Sequence, residues 1–253
     1  MKQVWALIPL KGFASAKTRL ASVLSTEARR SLALAMALDV TTAMIRSHAV
    51  DQVIIVSDIP NLGQLMGVEG VGYFDTGLAQ GLNEDLTAAA GWAMTQGATH
   101  VLIAHADLPQ LTPRAIDRFV LEAQDLPTSR LRAAACKEGC GTNLLLAPVP
   151  LSLPLVFGKN SLARFCQSAG AADVAIDVIR DTSLAADIDE PGDFRALAAA
   201  YARGEMTGRA TTDFLRSTMH TNTDNYCQPE VWPSDILCYA ARGESAPRNF
   251  TQR

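Results

Sequence analysis

The stretch QVWALIPL, residues 3–10, decides the class of fold. It is a continuous apolar run, which is typical of a strand buried on both faces, and Pro9 is tolerated where strand pairing ends. A helical pattern follows from Ser25 to about His48, with apolar side chains at every fourth residue. A strand followed by a helix is the first unit of an α/β fold.

The same alternation continues along the chain. The sequence predicts further strands at 51–58, 70–75, 99–107, 130–136 and 142–149. It predicts further helices at 82–97, 112–124 and 189–205. Units that alternate in this way predict a mostly parallel sheet with helices on both faces, whose ligands collect at the carboxyl ends of the strands.

The last part of the chain differs in composition from the rest. With 253 residues, 48% of them hydrophobic, the chain is long enough for one α/β domain with an appendage. Residues 206–253 are rich in Thr, Asn, Ser, Arg and Pro and show no sustained period. We therefore predict a domain over residues 1–205 and an irregular C-terminal extension of unknown role over 206–253.

Charge and cysteine usage restrict the partners and the compartment. The formal net charge is −4, which argues against a nucleic-acid partner because nucleic-acid binders carry a clustered basic excess. Five irregularly spaced cysteines suit a reducing cytosol better than a disulfide framework. The N-terminal apolar run is too short for a signal peptide, and no run reaches membrane-spanning length. We expect a cytoplasmic protein without a membrane partner.

The loop after the first strand, IPLKGFASAKTRLA at 8–21, concentrates positive charge. Lys11, Lys17 and Arg19 lie among small residues such as Gly12, whose backbone N–H groups a ligand can approach closely. A polyphosphate would suit such a loop. The alternative is a surface loop with solvated lysines, because the pattern is neither the Walker motif nor the G-x-G-x-x-G fingerprint.

Three aspartates in two separate segments are candidate metal ligands. Asp107 lies where the strongest predicted strand leaves the sheet, and Asp187 and Asp189 point the same way in the extended stretch DIDEP, 187–191. Mg²⁺ prefers carboxylate oxygens, and adjacent carboxylates repel unless a cation joins them. Alternatively, Asp107 caps the turn before Pro109 and part of the later acidity begins a helix, although a cap explains only one of the later pair.

Two further turns suit an anion. Thr142 offers a hydroxyl at a strand start, while Gly158 and Ser161 precede a helix whose N-terminus favours negative charge. An ordinary glycine turn, or a Ser or Asn N-cap, is the commoner explanation for any single site of this kind. His105, two residues before Asp107, is interpreted as a satisfied wall residue and not as a base.

Seven segments in a single order resemble the 2-phospho-L-lactate guanylyltransferase family, from about residue 4 to about 203. They are IPLKGFASAKTRLA, VSD (56–58), GLNEDL (81–86), ADLP (106–109), GTNLLL (141–146), FGKNS (157–161) and DIDEP. The resemblance implies a Rossmann-like, GT-A-like nucleotidyltransferase fold. It also implies transfer of GMP from GTP to a small phospho-acid (2-phospho-L-lactate, phosphoenolpyruvate or 3-phospho-D-glycerate) with release of pyrophosphate, in coenzyme F-420 biosynthesis.

The resemblance also assigns roles to individual residues. It implies Mg²⁺ as the cofactor, bound by Asp107, Asp187 and Asp189. It implies phospho-acid contacts by Thr142, Gly158 and Ser161. Nucleotide contacts would come from Lys11, Gly12, Lys17, Arg19, Ser57, Asp58 and Asn83. Among all of these the catalytic residues would be Lys17, Arg19 and Asp107.

Other interpretations stay open. Another nucleotidyltransferase, such as a molybdopterin-type cofactor guanylyl- or cytidylyltransferase, or a GT-A glycosyltransferase would share the sheet and the metal carboxylates. A GTP-binding regulatory module would bind the nucleotide without turnover, but it gives little reason for Asp187 and Asp189 to converge. The acceptors differ by groups that only the pocket shape can distinguish, so the sequence does not choose among them. It also leaves the oligomeric state open, with a homodimer as one option.

Overall fold

The computed structural model describes residues 2–12, 16–59, 62, 66–77, 80–122, 130–206 and 208–220. Its strands are β1 (Val4–Leu10), β2 (Gln52–Ser57), β3 (Val71–Asp75), β4 (His100–Ala104), β5 (Leu131–Ala135), β6 (Thr142–Pro148) and β7 (Ile176–Ile179). Its helices are α1 (Thr26–Ile45), α2 (Leu82–Thr95), α3 (Pro113–Leu121), α4 (Ser161–Ala171), α5 (Thr182–Ala185), α6 (Pro191–Ala202) and α7 (Arg209–His220), with a 3-10 helix at Thr18–Ser22.

The strands form one sheet in the order β3-β2-β1-β4-β6-β5-β7. Strand β6 runs antiparallel to both of its neighbours, and the other pairs are parallel. The reversal follows from chain length: only residues 136–141 join β5 to β6, whereas a parallel crossover needs about a dozen residues or more. The predicted mostly parallel sheet is confirmed.

Helices cover both faces of the sheet, also as predicted. On one face α1 and α3 bury Val40, Met44 and Phe119 against the strands. On the other face α2 and α4 bury Leu86 and Phe165. Strands β1, β2 and β4 consist almost wholly of buried residues, as a sheet covered on both faces requires. Across the described residues, no helix is long and apolar enough to cross a membrane.

The strand directions bring distant segments to one edge of the sheet. The carboxyl ends of β1, β2 and β4 emerge together because these strands are parallel neighbours. Since β6 is antiparallel to β4, with Leu144 opposite Ala104, its first residue Thr142 lies at this same edge. Strands β5 and β7 also end there, because both run opposite to β6.

The prediction of an irregular segment from residue 206 is wrong for Arg209–His220, which is helix α7. This helix packs on α1 and buries Phe214 and Leu215. Its first turn is capped by a residue that is distant in sequence. The Asp39 carboxylate accepts hydrogen bonds from the N–H groups of Ala210 (2.9 Å) and Thr211 (2.8 Å). Residues 221–253 lie outside the described residues, so the prediction for them stays untested.

Two short elements were also not predicted. Strand β7 lies at the edge of the sheet, is only partly buried and contains Asp177, so it lacks the continuous apolar run of the inner strands. Helix α5 spans four residues, too few for a helical period to be visible. The predicted helix at 112–124 is confirmed as Pro113–Leu121, and its last two predicted residues lie outside the described part.

We predict that Asp39→Ala destabilises the protein, because it removes the cap of α7 and leaves two backbone donors without their acceptor. A lost N-cap costs about 1–2 kcal/mol, measured as the free energy of unfolding in urea. Asp213→Ala is the matched control on α7, where Asp213 forms ion pairs with Arg216 and Arg209; surface pairs of this kind contribute about 0–1 kcal/mol. Equal losses in both variants would show that the cap contributes nothing particular.

Candidate functional site

Lys17 lies at the centre of the candidate site. Its Nζ donates hydrogen bonds to Asp107 Oδ2 at 2.6 Å and to Asp189 Oδ1 at 2.7 Å, and its side chain is 11% exposed. The residue has a left-handed backbone conformation and directly precedes the 3-10 helix. Burial lowers the pKa of Lys17, but the two carboxylates outweigh that effect, so the pKa is raised and the ammonium stays charged.

Asp107 remains ionised for the reciprocal reason. Burial favours its neutral form, but Lys17 and then His105 oppose that effect, so the pKa of Asp107 is lowered overall. Its Oδ2 atom binds Lys17, while its Oδ1 atom is buried and has no hydrogen-bond partner. A buried carboxylate oxygen without a partner is costly, so the site has room for one more donor or cation at this atom.

Asp187 completes a group that we call the carboxylate cluster (Asp107, Asp187 and Asp189). Burial raises the pKa of Asp187, and the negative charges of Asp107 and Asp189 raise it further. The Asn143 amide donates to its Oδ1 atom at 3.3 Å, which opposes the shift only in part. Ile188 between the two later aspartates is buried in the core, so the alternation predicted for DIDEP is present.

The carboxylate cluster fits a divalent cation in its chemistry. It combines three oxygen-ligand side chains, a buried oxygen without a partner and a carboxyl whose pKa is raised by burial and then by neighbouring negative charge. Within the described ranges, however, no group of three or more His, Cys, Asp or Glu side chains is already arranged around a metal position. Lys17 lies between Asp107 and Asp189 instead, so the two oxygens that it binds become available to a metal only if the ammonium moves away.

The three residues predicted to bind an anion come together at the start of α4, and we call them the anion turn (Thr142, Gly158 and Ser161). The hydroxyl oxygens of Thr142 and Ser161 are 3.1 Å apart and buried. The Ser161 N–H donates to the Gly158 carbonyl at 3.1 Å, and Gly158 has φ of +119°, which a residue with a side chain rarely adopts. Two buried hydroxyls therefore lie beside the start of α4, the end of a helix that favours negative charge.

The basic loop forms one wall of a cleft of about 410 Å³, whose lining includes Lys11, Gly12, Lys17, His105 and Asp107. Lys11 lies 3.6 Å from an Asp85 oxygen and is half-exposed. Arg19 is exposed and lines a neighbouring groove with Lys17 and Asp189. Two small residues of the predicted loop, at 14 and 15, lie outside the described residues.

Three residues assigned to the nucleotide, Ser57, Asp58 and Asn83, differ in how far their side chains are already hydrogen-bonded within the protein. Ser57 is buried, and its hydroxyl accepts the N–H of Ile59 at 3.1 Å. Asp58 has a buried Oδ1 atom without a partner. The Asn83 amide accepts the Phe157 N–H at 2.7 Å and donates to the Phe157 carbonyl at 3.2 Å. Asn83 therefore fixes the segment before Gly158, and its amide is already engaged with the backbone.

His105 is part of the wall, as predicted, but its ring is not fully hydrogen-bonded. The ring packs on Phe157 with centroids 5.4 Å apart, and its backbone N–H donates to the Asn143 carbonyl at 3.1 Å. Its Nε2 atom is buried and has no partner. The prediction of a satisfied histidine is wrong in this respect, because the face of Phe157, on which the ring packs, offers this nitrogen no hydrogen-bond partner.

Three residues of the site were not predicted. Asn143 follows Thr142 on β6 and binds Asp187. Asp193 accepts hydrogen bonds from the backbone around Asp189, and Lys137 donates to Asp193 from the β5–β6 hairpin. The spacing from Glu190 to Asp193 at a proline-started helix is a capping-box signal that could have revealed Asp193. The tertiary contact of Lys137 has no local signal.

Comparison with known proteins identifies the family of the chain. The chain matches the family model described as guanylyl transferase CofC like over residues 4–225. The chain belongs to the CofC-like guanylyl transferase family. The resemblance seen in the seven sequence segments is thereby confirmed, and so is the prediction of a nucleotidyltransferase enzyme.

Curated relatives of this CofC-like protein are of similar length. The chain is 32% identical over 232 residues to the phosphoenolpyruvate guanylyltransferase of Conexibacter woesei, which covers 87% of the chain and 99% of the relative. It is 30% identical over 188 residues to the 2-phospho-L-lactate guanylyltransferase of Methanocorpusculum labreanum, which covers 74% and 79%.

Solved structures share the fold of this CofC-like protein. A protein described as a nucleotide-diphospho-sugar transferase from Desulfovibrio desulfuricans has a TM-score of 0.72 at 16% identity, over 87% of this chain and 96% of that one. A nucleotidyl transferase from Methanothermobacter thermautotroptrophicus has a TM-score of 0.59 at 18% identity, over 81% and 100%. At these identities the likeness shows the fold alone, and it confirms the predicted fold class.

We predict that Lys17→Met tightens the binding of Mn²⁺, a spectroscopic substitute for Mg²⁺, in the absence of nucleotide. The ammonium and the metal ion compete for the same oxygens, so removal of the ammonium should raise the affinity for Mn²⁺. A tenfold rise in affinity corresponds to about 1.4 kcal/mol. The affinity is measured by titration with electron paramagnetic resonance. Lys11→Met is the matched control, because Lys11 pairs with Asp85 instead. Unchanged or weaker Mn²⁺ binding in Lys17→Met would contradict the competition.

Proposed function

We propose that this protein transfers GMP from GTP to the phosphate of a small phospho-acid and releases pyrophosphate, in coenzyme F-420 biosynthesis. One observation supports the proposal: the carboxylate cluster lies at the same sheet edge as two groups of residues whose chemistry suits an anion, the loop at 8–21 and the anion turn. A reaction between two polyanions requires such an arrangement, because each needs its own donors and their mutual repulsion needs a cation.

The acceptor phosphate is itself the nucleophile in this proposal. A phosphate monoester has a second pKa near 6, so it is largely dianionic at neutral pH and needs no enzymic base. One of its oxygens forms a bond to the α-phosphorus of GTP, while the bond from this phosphorus to the β-bridging oxygen breaks. The electron pair leaves with pyrophosphate. His105 is consequently not required as a base.

The chain's own residues bind and orient the two substrates. Lys17 and Arg19 offset the negative charge of the GTP phosphates, as phosphoryl-transfer enzymes generally require. Thr142 and Ser161 donate hydroxyl hydrogen bonds to the phospho-acid, and the backbone at Gly158 approaches it closely. When bound by the carboxylate cluster, Mg²⁺ would supply further positive charge at the reacting phosphates.

Phosphoenolpyruvate is the acceptor that we propose. Two relatives carry that activity in their names. The chain is 32% identical to the Conexibacter woesei protein, over 99% of that protein, and 34% identical to the Sphaerobacter thermophilus protein, over 98% of that one. The decisive assay incubates the chain with GTP, Mg²⁺ and each phospho-acid separately and identifies the product by mass. A product with CTP only, or with a sugar acceptor, would replace this proposal by one of the other nucleotidyltransferase or glycosyltransferase activities.

We predict that Asp107→Asn lowers GTP-dependent pyrophosphate release by about a hundredfold or more. It removes one of the negative charges that would hold the metal ion beside the reacting phosphates. The side chain keeps its size, so the loss reports charge and not packing. Asp177→Asn on β7 is the control, because Asp177 pairs only weakly with Arg132 at 3.6 Å. Retained pyrophosphate release in Asp107→Asn would refute the role of the carboxylate cluster.

Separate substitutions should affect the two substrates separately. We predict that Ser161→Ala raises the KM for the phospho-acid about tenfold or more, as expected when a hydrogen bond to a charged group is lost, with GTP binding nearly unchanged. Arg19→Ala should instead impair GTP use with every acceptor. Steady-state kinetics with each substrate varied in turn checks this, and a rise of both KM values in both variants would contradict two separate sites.

A further inference from the structure

The side chain of Asp193 connects three parts of the site. Asp193 is the third residue of α6 and is 7% exposed. Its Oδ2 atom accepts hydrogen bonds from the backbone N–H of Asp189 at 2.9 Å and of Glu190 at 2.7 Å. Its Oδ1 atom accepts a hydrogen bond from Lys137 Nζ. One carboxylate thus fixes the backbone of a member of the carboxylate cluster and binds the β5–β6 hairpin.

The hairpin that carries Lys137 leads directly into the anion turn. It is closed by hydrogen bonds from the Cys136 N–H to the Gly141 carbonyl (3.0 Å) and from the Gly139 N–H to the Cys136 carbonyl (2.9 Å). The Cys140 carbonyl accepts the N–H of Leu162 in the first turn of α4 at 3.1 Å. The next residues are Gly141 and then Thr142 of the anion turn, so movement of the hairpin moves both the hydroxyl and the helix start.

We propose that Asp193 is a positioning residue that holds Asp189 in register with the anion turn through Lys137. It acts without touching either substrate. Hydrogen bonds behind ligating side chains are known to fix ligand orientation, and their loss costs about 10–100-fold in metal affinity or activity. The relation to the phospho-acid rests on the proposed function, whereas the relation to the carboxylate cluster does not.

Helix capping alone does not explain the arrangement. The capping box needs only the contacts of Asp193 with the backbone, and its mutual partner is Glu190. The bond from Lys137 is additional, and it joins a segment 56 residues away in sequence. Lys137 has a second partner, Glu138, at 3.4 Å on the same hairpin. The two partners of Lys137 can therefore be removed separately and their effects compared.

The first experiment measures Mn²⁺ binding without nucleotide. Asp193→Ala should weaken Mn²⁺ affinity about tenfold, the lower end of the range for such supporting residues. Ser25→Ala is the matched control: it removes the N-cap of α1, where the Ser25 hydroxyl accepts the Ala28 N–H. Ser25→Ala should lower the thermal midpoint and leave Mn²⁺ affinity within about twofold of wild type. Unchanged Mn²⁺ affinity in Asp193→Ala overturns the positioning role.

The second experiment separates the two substrates. Lys137→Met leaves the backbone contacts of Asp193 intact, so α6 keeps its cap, while the KM for phosphoenolpyruvate rises about three- to tenfold and the KM for GTP stays within about twofold. Glu138→Gln, which preserves the bond from Lys137 to Asp193, should leave both KM values unchanged. Unchanged acceptor KM in Lys137→Met overturns the coupling to the anion turn.

The two hypotheses fail differently. A wild-type chain that turns over none of the three phospho-acids refutes the proposed function. The Mn²⁺ measurement still decides whether Asp193 positions Asp189 in that case, because it needs no turnover. A wild-type chain that is active, with variants that retain Mn²⁺ affinity and acceptor KM, refutes the positioning role alone.

Discussion

One ammonium group shared by two carboxylates is the interaction on which the site depends. Lys17 lies 2.6 Å from Asp107 and 2.7 Å from Asp189, and the three residues come from widely separated parts of the chain. Taking charges out of water costs several kcal/mol for each ion, which only close pairing can offset. The fold must therefore bring the loop after β1, the end of β4 and the segment before α6 to one place.

The sheet meets this demand through its strand order and its reversed strand. Strands β1 and β4 are parallel neighbours, so the loop that carries Lys17 and the segment that carries Asp107 leave the sheet side by side. The antiparallel direction of β6 brings Thr142 to the same edge. A parallel β6 would start at the opposite edge and would separate the anion turn from the carboxylate cluster. The short hairpin that enforces the reversal is thus a requirement of the site as well as of the fold.

The features that were predicted from the sequence are ones with a local signal. Long apolar runs gave β1, β2 and β4, and residue types at strand ends gave Asp107 and the anion turn. Helix α7 was missed because its cap, Asp39, is 171 positions before Ala210. The pairing of Lys17 with Asp107 and Asp189, over 90 and 172 positions, was missed for the same reason: only the tertiary fold defines it. The loop pattern indicated positive charge, but it could not show which negative groups meet it.

The third carboxylate distinguishes this cluster from a structural salt bridge. The single ammonium of Lys17 balances only one of the two carboxylates that it binds, and Asp187 adds further negative charge that it does not balance. Burial first, and then the charge of Asp107, raise the pKa of Asp187, while Asp107 keeps a buried oxygen without a partner. Both features destabilise the folded chain by themselves, and proteins tolerate such costs mainly at functional sites, where a ligand compensates them. We therefore propose that a bound cation, and not the stability of the fold, accounts for the imbalance.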